Sequence, residues 1–136
     1  MNKKNKTDKV LLLLRIVLGL IFIAHGSQKL LGIFGGSGIS GTISMLKSMG
    51  FFLPTILAWI LALSEFLGGF GIILGVFPRV SSALIAFAML VAMVKVHLPN
   101  GFFNMNGGIE FFLLMIAVAI SIIILGAGKY SLYNKY

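Results

Sequence analysis

A chain of 136 residues that is 59% hydrophobic and 10% charged, with a mean hydropathy of +1.08, lacks the surface of a water-soluble domain. Soluble domains carry charge on roughly a quarter of their residues. The formal net charge of +8 does not describe a nucleic-acid binder, because the basic residues flank apolar runs and form no continuous basic face. Cysteine is absent, which excludes disulfides, thiolate metal sites and thiol redox chemistry carried by this chain.

The N-terminal MNKKNKTDK leads into an apolar run. Its basic start has the polarity of a signal peptide, but the run outlasts an h-region and no small-x-small cleavage site precedes a soluble domain. A retained first span is predicted over about 10–31, near the ~20 residues that a bilayer requires. The glycines and serines of GIFGGSGISG break the chain there. Within an outer loop over 35–54, Thr42 is placed to cap a short helix with Ile43, Leu46 and Met49 on one face and Ser44, Lys47 and Ser48 off it. That pattern predicts a helix lying at the membrane interface.

Pro54 suits the first turn of a second span over about 55–75. The link Val76-Phe77-Pro78-Arg79 is short enough only for a tight antiparallel turn into a third span, 80–98. After PNGFFNMNGG a fourth span covers 108–125, and GAGKYSLYNKY closes the chain with tyrosines suited to the headgroup belt. The expected fold is therefore all-α: one domain, an integral membrane antiparallel four-helix bundle. Lys/Arg asymmetry orients it. Lys3, Lys4, Lys6, Lys9, Arg15, Arg79, Lys129 and Lys135 fall on one side, and Lys29, Lys47 and Lys95 on the other. The positive-inside rule makes that N-in and C-in. Small residues Gly19 and Gly26, Gly71 and Gly75, and Ala88 and Ala92 are spaced for helix packing rather than ligand contact.

Glu65 dominates the polar pattern: it stands near the midplane of span two with about ten uncharged residues on each side. A charge at the centre of a spanning helix costs on the order of 3 kcal/mol, so such a residue is a functional candidate by default. Lys29, Lys95, His97 and Glu110 fall within about one turn of the outer boundary, and His25 about a turn deeper, at ~1.5 Å per residue. Helical angles put Arg15, Gly19, Phe22, Gly26 and Lys29 on one stripe with His25 at its margin; Ala58, Ala62, Glu65, Gly69 and Ile72 share a face. His25 and Lys29, four apart, point into one interior. Lys95 and His97, two apart, cannot both face it squarely, so at least one belongs at a rim.

Each residue has a plainer reading. Glu65 is expected to hold a proton at rest unless His25 or Lys29 pairs with it, in which case it is polar glue between helices. His25 divides between helix pairing and proton or ligand work. Lys29 and Lys95 have stems long enough to snorkel to the surface. Glu110, in the first turn of span four, suits the helix dipole. Arg15 and Arg79 read as structural or anchoring charges, and Phe102 and Phe103 as a candidate lid. The two histidines and two glutamates show no HxxxH or ExxH spacing, so no metal site is predicted.

The segments RIVLGLIFIAHGSQKL (15–30), SEFLGGFGIILGVFPR (64–79) and KVHLPNGFFNMNGGIEFFLL (95–114), with the terminal G-x-G-x-Y-S-L, resemble the DoxX family of small four-helix membrane proteins across nearly the whole chain. The resemblance implies a multi-pass protein of the prokaryotic cytoplasmic membrane linked to redox metabolism. Members include a subunit of thiosulfate:quinone oxidoreductase, and others attach to membrane oxidoreductases or to quinone and catechol stress. The family's polar positions map to Arg15, His25, Lys29, Glu65, Arg79, His97 and Glu110. Its tail motif ends in Asp where this chain has Tyr133.

Residues and resemblance together predict a membrane component of a quinone- or sulfur-linked redox system. It would bind a small molecule in the outer half of the bundle, with Glu65 and His25 handling protons and Lys29 or Lys95 attracting an anionic donor such as thiosulfate. No covalent cofactor is expected; a quinone is the candidate ligand. A partner protein would supply electrons, and a homo-oligomer is compatible. Two other readings stand: a small proton-coupled transporter, and a membrane scaffold that recruits soluble redox enzymes.

Overall fold

The computed structural model describes residues 3–133. Lys135 and Tyr136, counted above in the tail, lie outside them. No strand occurs among the described residues. Five α-helices follow in order: α1 Lys3–Leu31, α2 Gly38–Ser48, α3 Pro54–Leu74, α4 Pro78–Ala92 and α5 Glu110–Leu125. α1, α3 and the helical run Pro78–Asn100 are long and apolar enough to cross a membrane; α5 is apolar but has 16 residues.

α1 starts a full two turns before the apolar run. Its polar beginning is held by Thr7, whose Oγ1 donates to the Lys3 carbonyl, and by Asp8, which is buried against the C-terminal segment. Pro54 and Pro78 open α3 and α4, where a missing N–H costs nothing. Leu53 and Phe77, just ahead of them, both take left-handed backbone angles (φ 53° and 47°). α3 ends on Gly75, also left-handed, and the Val76 N–H closes back on the Gly71 carbonyl at 2.9 Å. Only glycine takes that conformation without strain.

α4 changes character before it stops. Residues Met93–His97 form a π-helical turn in which the Leu98 N–H reaches back five residues to the Met93 carbonyl. The cause is Pro99. It has no N–H, and in an α-helix its ring would clash with the Lys95 carbonyl, so the helix widens before it ends.

In lipid, helices gain little from excluding water, so close van der Waals packing carries the fold. α1 and α3 run antiparallel in backbone contact. A Cβ on Gly69 would sit 2.8 Å from the Gly19 carbonyl oxygen, and one on Gly26 would fall on the Phe66 backbone. α4 follows α3 back, with Gly71 against Ser81 and Gly68 against Ile85. Leu18, Phe22, Ile72, Ile85, Met89, Met115, Ala119 and Ile122 fill one buried core among α1, α3, α4 and α5.

One local reading is corrected. Thr42 lies inside α2 and not at its cap, a position held by Ser37. It is buried, and its Oγ1 donates to the Gly38 and Lys29 carbonyls at 2.9 and 3.2 Å, tying α2 to the end of α1. Gly71 and Gly75 meet neighbouring segments, and Ala88, packed against the core, also borders a cavity together with Ala92.

Candidate functional site

Toward the α2 end of the molecule lies a cavity of about 640 Å³. α1 and α5 form its back, α3 and α4 its sides, and α2 its cover through Met45, Leu46 and Met49. The wall is mostly apolar and includes the rings of Phe22, Phe87, Phe111 and Phe112.

Five of the six residues singled out for ligand or proton work border this space: His25, Lys29, Glu65, Lys95 and His97. Glu65 is fully buried. Its Oε2 lies 2.7 Å from the Lys29 Nζ, and its Oε1 has no hydrogen-bond partner. Lys29 therefore does not snorkel; its ammonium turns inward, and its side chain is 23% exposed. That contact is the pairing under which Glu65 reads as polar glue between helices. His25, one turn deeper on α1, is exposed.

Lys95 and His97 reach the cavity from the π-helical turn. The His97 Nδ1 lies 2.7 Å from the Gly107 carbonyl, and its ring packs on Phe112 at 4.2 Å between centroids. A carbonyl only accepts, so Nδ1 carries the proton and a neutral ring leaves Nε2 as an acceptor. Lys95 is exposed, in keeping with a rim position.

Glu110 does not border the cavity. Its Oε1 accepts the Asn104 N–H at 3.0 Å, so it organises the connection between α4 and α5 from the first turn of α5. Phe102 and Phe103 are 53% and 60% exposed and pack edge-to-face on each other at 5.4 Å. They do not border the cavity. The residues that cover it are Met45 and Met49 of α2, whose signal in the sequence was only an apolar face on a short helix.

Arg15 occupies the opposite end and is 1% exposed. Its Nε donates to the Ile72 carbonyl at 2.8 Å and its Nη2 to Ile73 at 2.7 Å. Its Nη1 donates to Ala127 and, at 2.6 Å, to Tyr130. The last carbonyls of α3, which have no partner within the helix, are thus met by a cation at the negative end of its dipole. Asp8 completes the clasp by accepting the Lys129 N–H at 3.1 Å, and the Leu132 N–H donates to Leu74 at 2.9 Å. Asp8 was overlooked in the sequence, where its one signal was being the sole acid in a basic segment. Arg79 is exposed at the start of α4 beside Gly126. No group of three or more metal-ligating side chains forms among the described residues.

The DoxX family model matches residues 10–98, which include His25, Lys29, Glu65, Lys95 and His97. A Bacillus subtilis (strain 168) protein named "Putative oxidoreductase CatD" is 32% identical over 111 residues, covering 82% of this chain and 76% of its own length. A Haemophilus influenzae (strain Rd) "Uncharacterized protein" is 29% identical over 130 residues, covering 90% and 87%. No solved structure matches the chain. With most of its helical core inside the family match, the chain belongs to the DoxX family of membrane proteins.

Proposed function

We propose that this protein is the membrane component of a redox system in a prokaryotic cytoplasmic membrane, binding a quinone-type small molecule in the cavity above Glu65. In this reading α1, α3, α4 and α5 form an antiparallel four-span bundle with both termini inside, and the cavity lies in the outer half. The observation that carries it is the buried Glu65 carboxylate, with one oxygen on Lys29 and the other unpartnered, beside a mostly apolar cavity with phenylalanine rings in its wall. A buried polar atom without a partner is rare enough to mark a site where something else binds.

Phenylalanine rings in an apolar wall suit a flat ring, and a cavity of about 640 Å³ is of the size that small-molecule sites have. A bound quinone would supply the two-electron chemistry that the side chains lack. The chain's own residues surround it: Lys29 holds Glu65 in place beside it, and His25, Lys95 and His97 stand where protons or anions arrive. Lys29 is already neutralised by Glu65, so Lys95 is the cation left for an anionic donor such as thiosulfate. Electrons come from a partner protein. The relative named as an oxidoreductase supports the redox assignment. The packed core between Glu65 and the Arg15 clasp supports it over a proton-coupled carrier, which needs a path to both sides.

The test is extraction of the detergent-purified protein and identification of co-purifying molecules by mass spectrometry, beside Glu65→Gln. A redox-active aromatic retained by the wild type and lost from the folded variant is expected. An empty cavity in both, with gradient-driven uptake in vesicles, would replace this reading with transport.

A further inference from the structure

Near the turn that joins them α3 and α4 pack closely, Gly71 against Ser81 and Gly68 against Ile85. Further along, the cavity lies between them: Ile60 and Ser64 of α3 and Leu84, Phe87 and Ala88 of α4 all border it. Ile60, Leu84 and Phe87 are 54%, 47% and 68% exposed, so this side is open. The opening is apolar, on helices long and apolar enough to span a bilayer, and it faces lipid rather than water. Behind, Phe22 and Met115 are buried, and above, Leu46 is buried, while Met45 and Met49 beside it on α2 are 38% and 40% exposed.

The polar end of the cavity has a definite sense. Glu65 Oε2 is taken by Lys29, and Oε1 has no donor. A carboxylate held in an ion pair only accepts hydrogen bonds. A head group carrying only carbonyls would leave Oε1 unmet; one carrying a hydroxyl would meet it.

We propose that the cavity is loaded sideways from the lipid, between α3 and α4, by an amphiphile whose head donates a hydroxyl hydrogen bond to Oε1 of Glu65. Within the quinone-site reading on which this rests, the ligand held is the reduced, hydroquinone form.

The test uses the full chain in lipid nanodiscs under anaerobic conditions, with three probes of equal chain length: a decyl hydroquinone, its dimethyl ether and the matching quinone. Retention is quantified by mass spectrometry. The hydroquinone should bind at least about tenfold more tightly than the other two, as expected when a charged acceptor loses its donor. Equal or tighter binding of the ether or the quinone overturns the donor assignment. If all three bind and Glu65→Gln binds them equally, the Glu65 site itself fails, a distinct result.

For the route, loading from probe-containing liposomes is timed in Ala88→Trp, which narrows the gap, and Phe87→Ala, which widens it, beside Ile124→Trp on α5. The first should load at least fivefold more slowly and the second faster, with the α5 variant unchanged. If Ala88→Trp fails to fold, Phe87→Ala alone decides. Loading rates that ignore Phe87→Ala and any folded Ala88→Trp overturn the sideways route.

Discussion

Arg15 and Glu65 are both charged, both within 1% of complete burial and both on helices of membrane-spanning length, yet they are treated in opposite ways. Arg15 spends its donors on four backbone carbonyls and has no ion-paired carboxylate among the described residues. Glu65 has a full counter-charge in Lys29 but keeps one oxygen without a donor. At the Arg15 end, helix termini and the C-terminal segment are locked to one another; at the Glu65 end, α3 and α4 part and leave a cavity. The buried charge that is fully met supports reading Arg15 as structural, and the one met by half is what the proposed ligand site at Glu65 rests on.

That contrast breaks most visibly at Arg15. Arg15→Leu would strand four carbonyls in the interior and release the C-terminal segment, a loss on the order of 3–5 kcal/mol. The expected outcome is a large drop in melting temperature in detergent, with cleavage by protease after α5. Arg15→Lys should fall between, because an ammonium brings three donors and no planar fork. A variant that melts like the wild type would remove the clasp from this account.

At the other end the pair can be separated from the site. Lys29→Met leaves Glu65 buried without its partner, at a loss on the order of 2–4 kcal/mol. Adding Glu65→Leu should restore most of the stability, because the expense lies in the unpaired charge. Ligand retention should not return. Recovery of stability without retention, read from melting curves and mass spectrometry, would assign Glu65 to function. Recovery of both would return the pair to being glue between helices.

Much of this contrast was legible in the sequence, for a physical reason. Charges in apolar runs are so costly that Arg15, Lys29 and Glu65 stand out by rarity; the depth count put Lys29 near the outer boundary and Glu65 at the midplane, a gap that the length of the lysine stem closes. What stayed hidden depends on side-chain reach and loop path. Arg15 read as an anchor because nothing local shows that the chain end returns to receive it. Glu110 read as a cavity residue because its depth was right, whereas its carboxylate turns to the Asn104 N–H. Phe102 and Phe103 read as a lid from their place in a loop, while the cover came from α2, whose docking depends on the Thr42 hydroxyl meeting the Lys29 carbonyl. The sideways opening depends on how α3 and α4 diverge, which no periodicity encodes.

Smaller tests sharpen the same division. Asp8→Ala removes the acceptor of the Lys129 N–H and should cost about 1 kcal/mol. Its effect should be confined to the C-terminal segment, seen as faster amide exchange at Lys129 with ligand retention unchanged. Loss of ligand would mean that the two ends are coupled.

Glu110→Gln should have the smallest effect and discriminates most finely. The carboxylate lies near the cavity in sequence, adjacent to the lining residue Phe111, yet its oxygen serves the Asn104 N–H. Glutamine keeps an acceptor at that oxygen and gives up the charge, worth about 0.3–1 kcal/mol at a helix N-terminus. Melting should therefore shift by no more than a few degrees, and retention of a hydroquinone probe should stay within twofold of the wild type. A larger loss of retention would place Glu110 in the site after all, working through the connection that carries Asn104 and, through Gly107, His97. In that event the polar end of the cavity would include the α4–α5 connection, and the boundary drawn here between site and support would move outward by one turn.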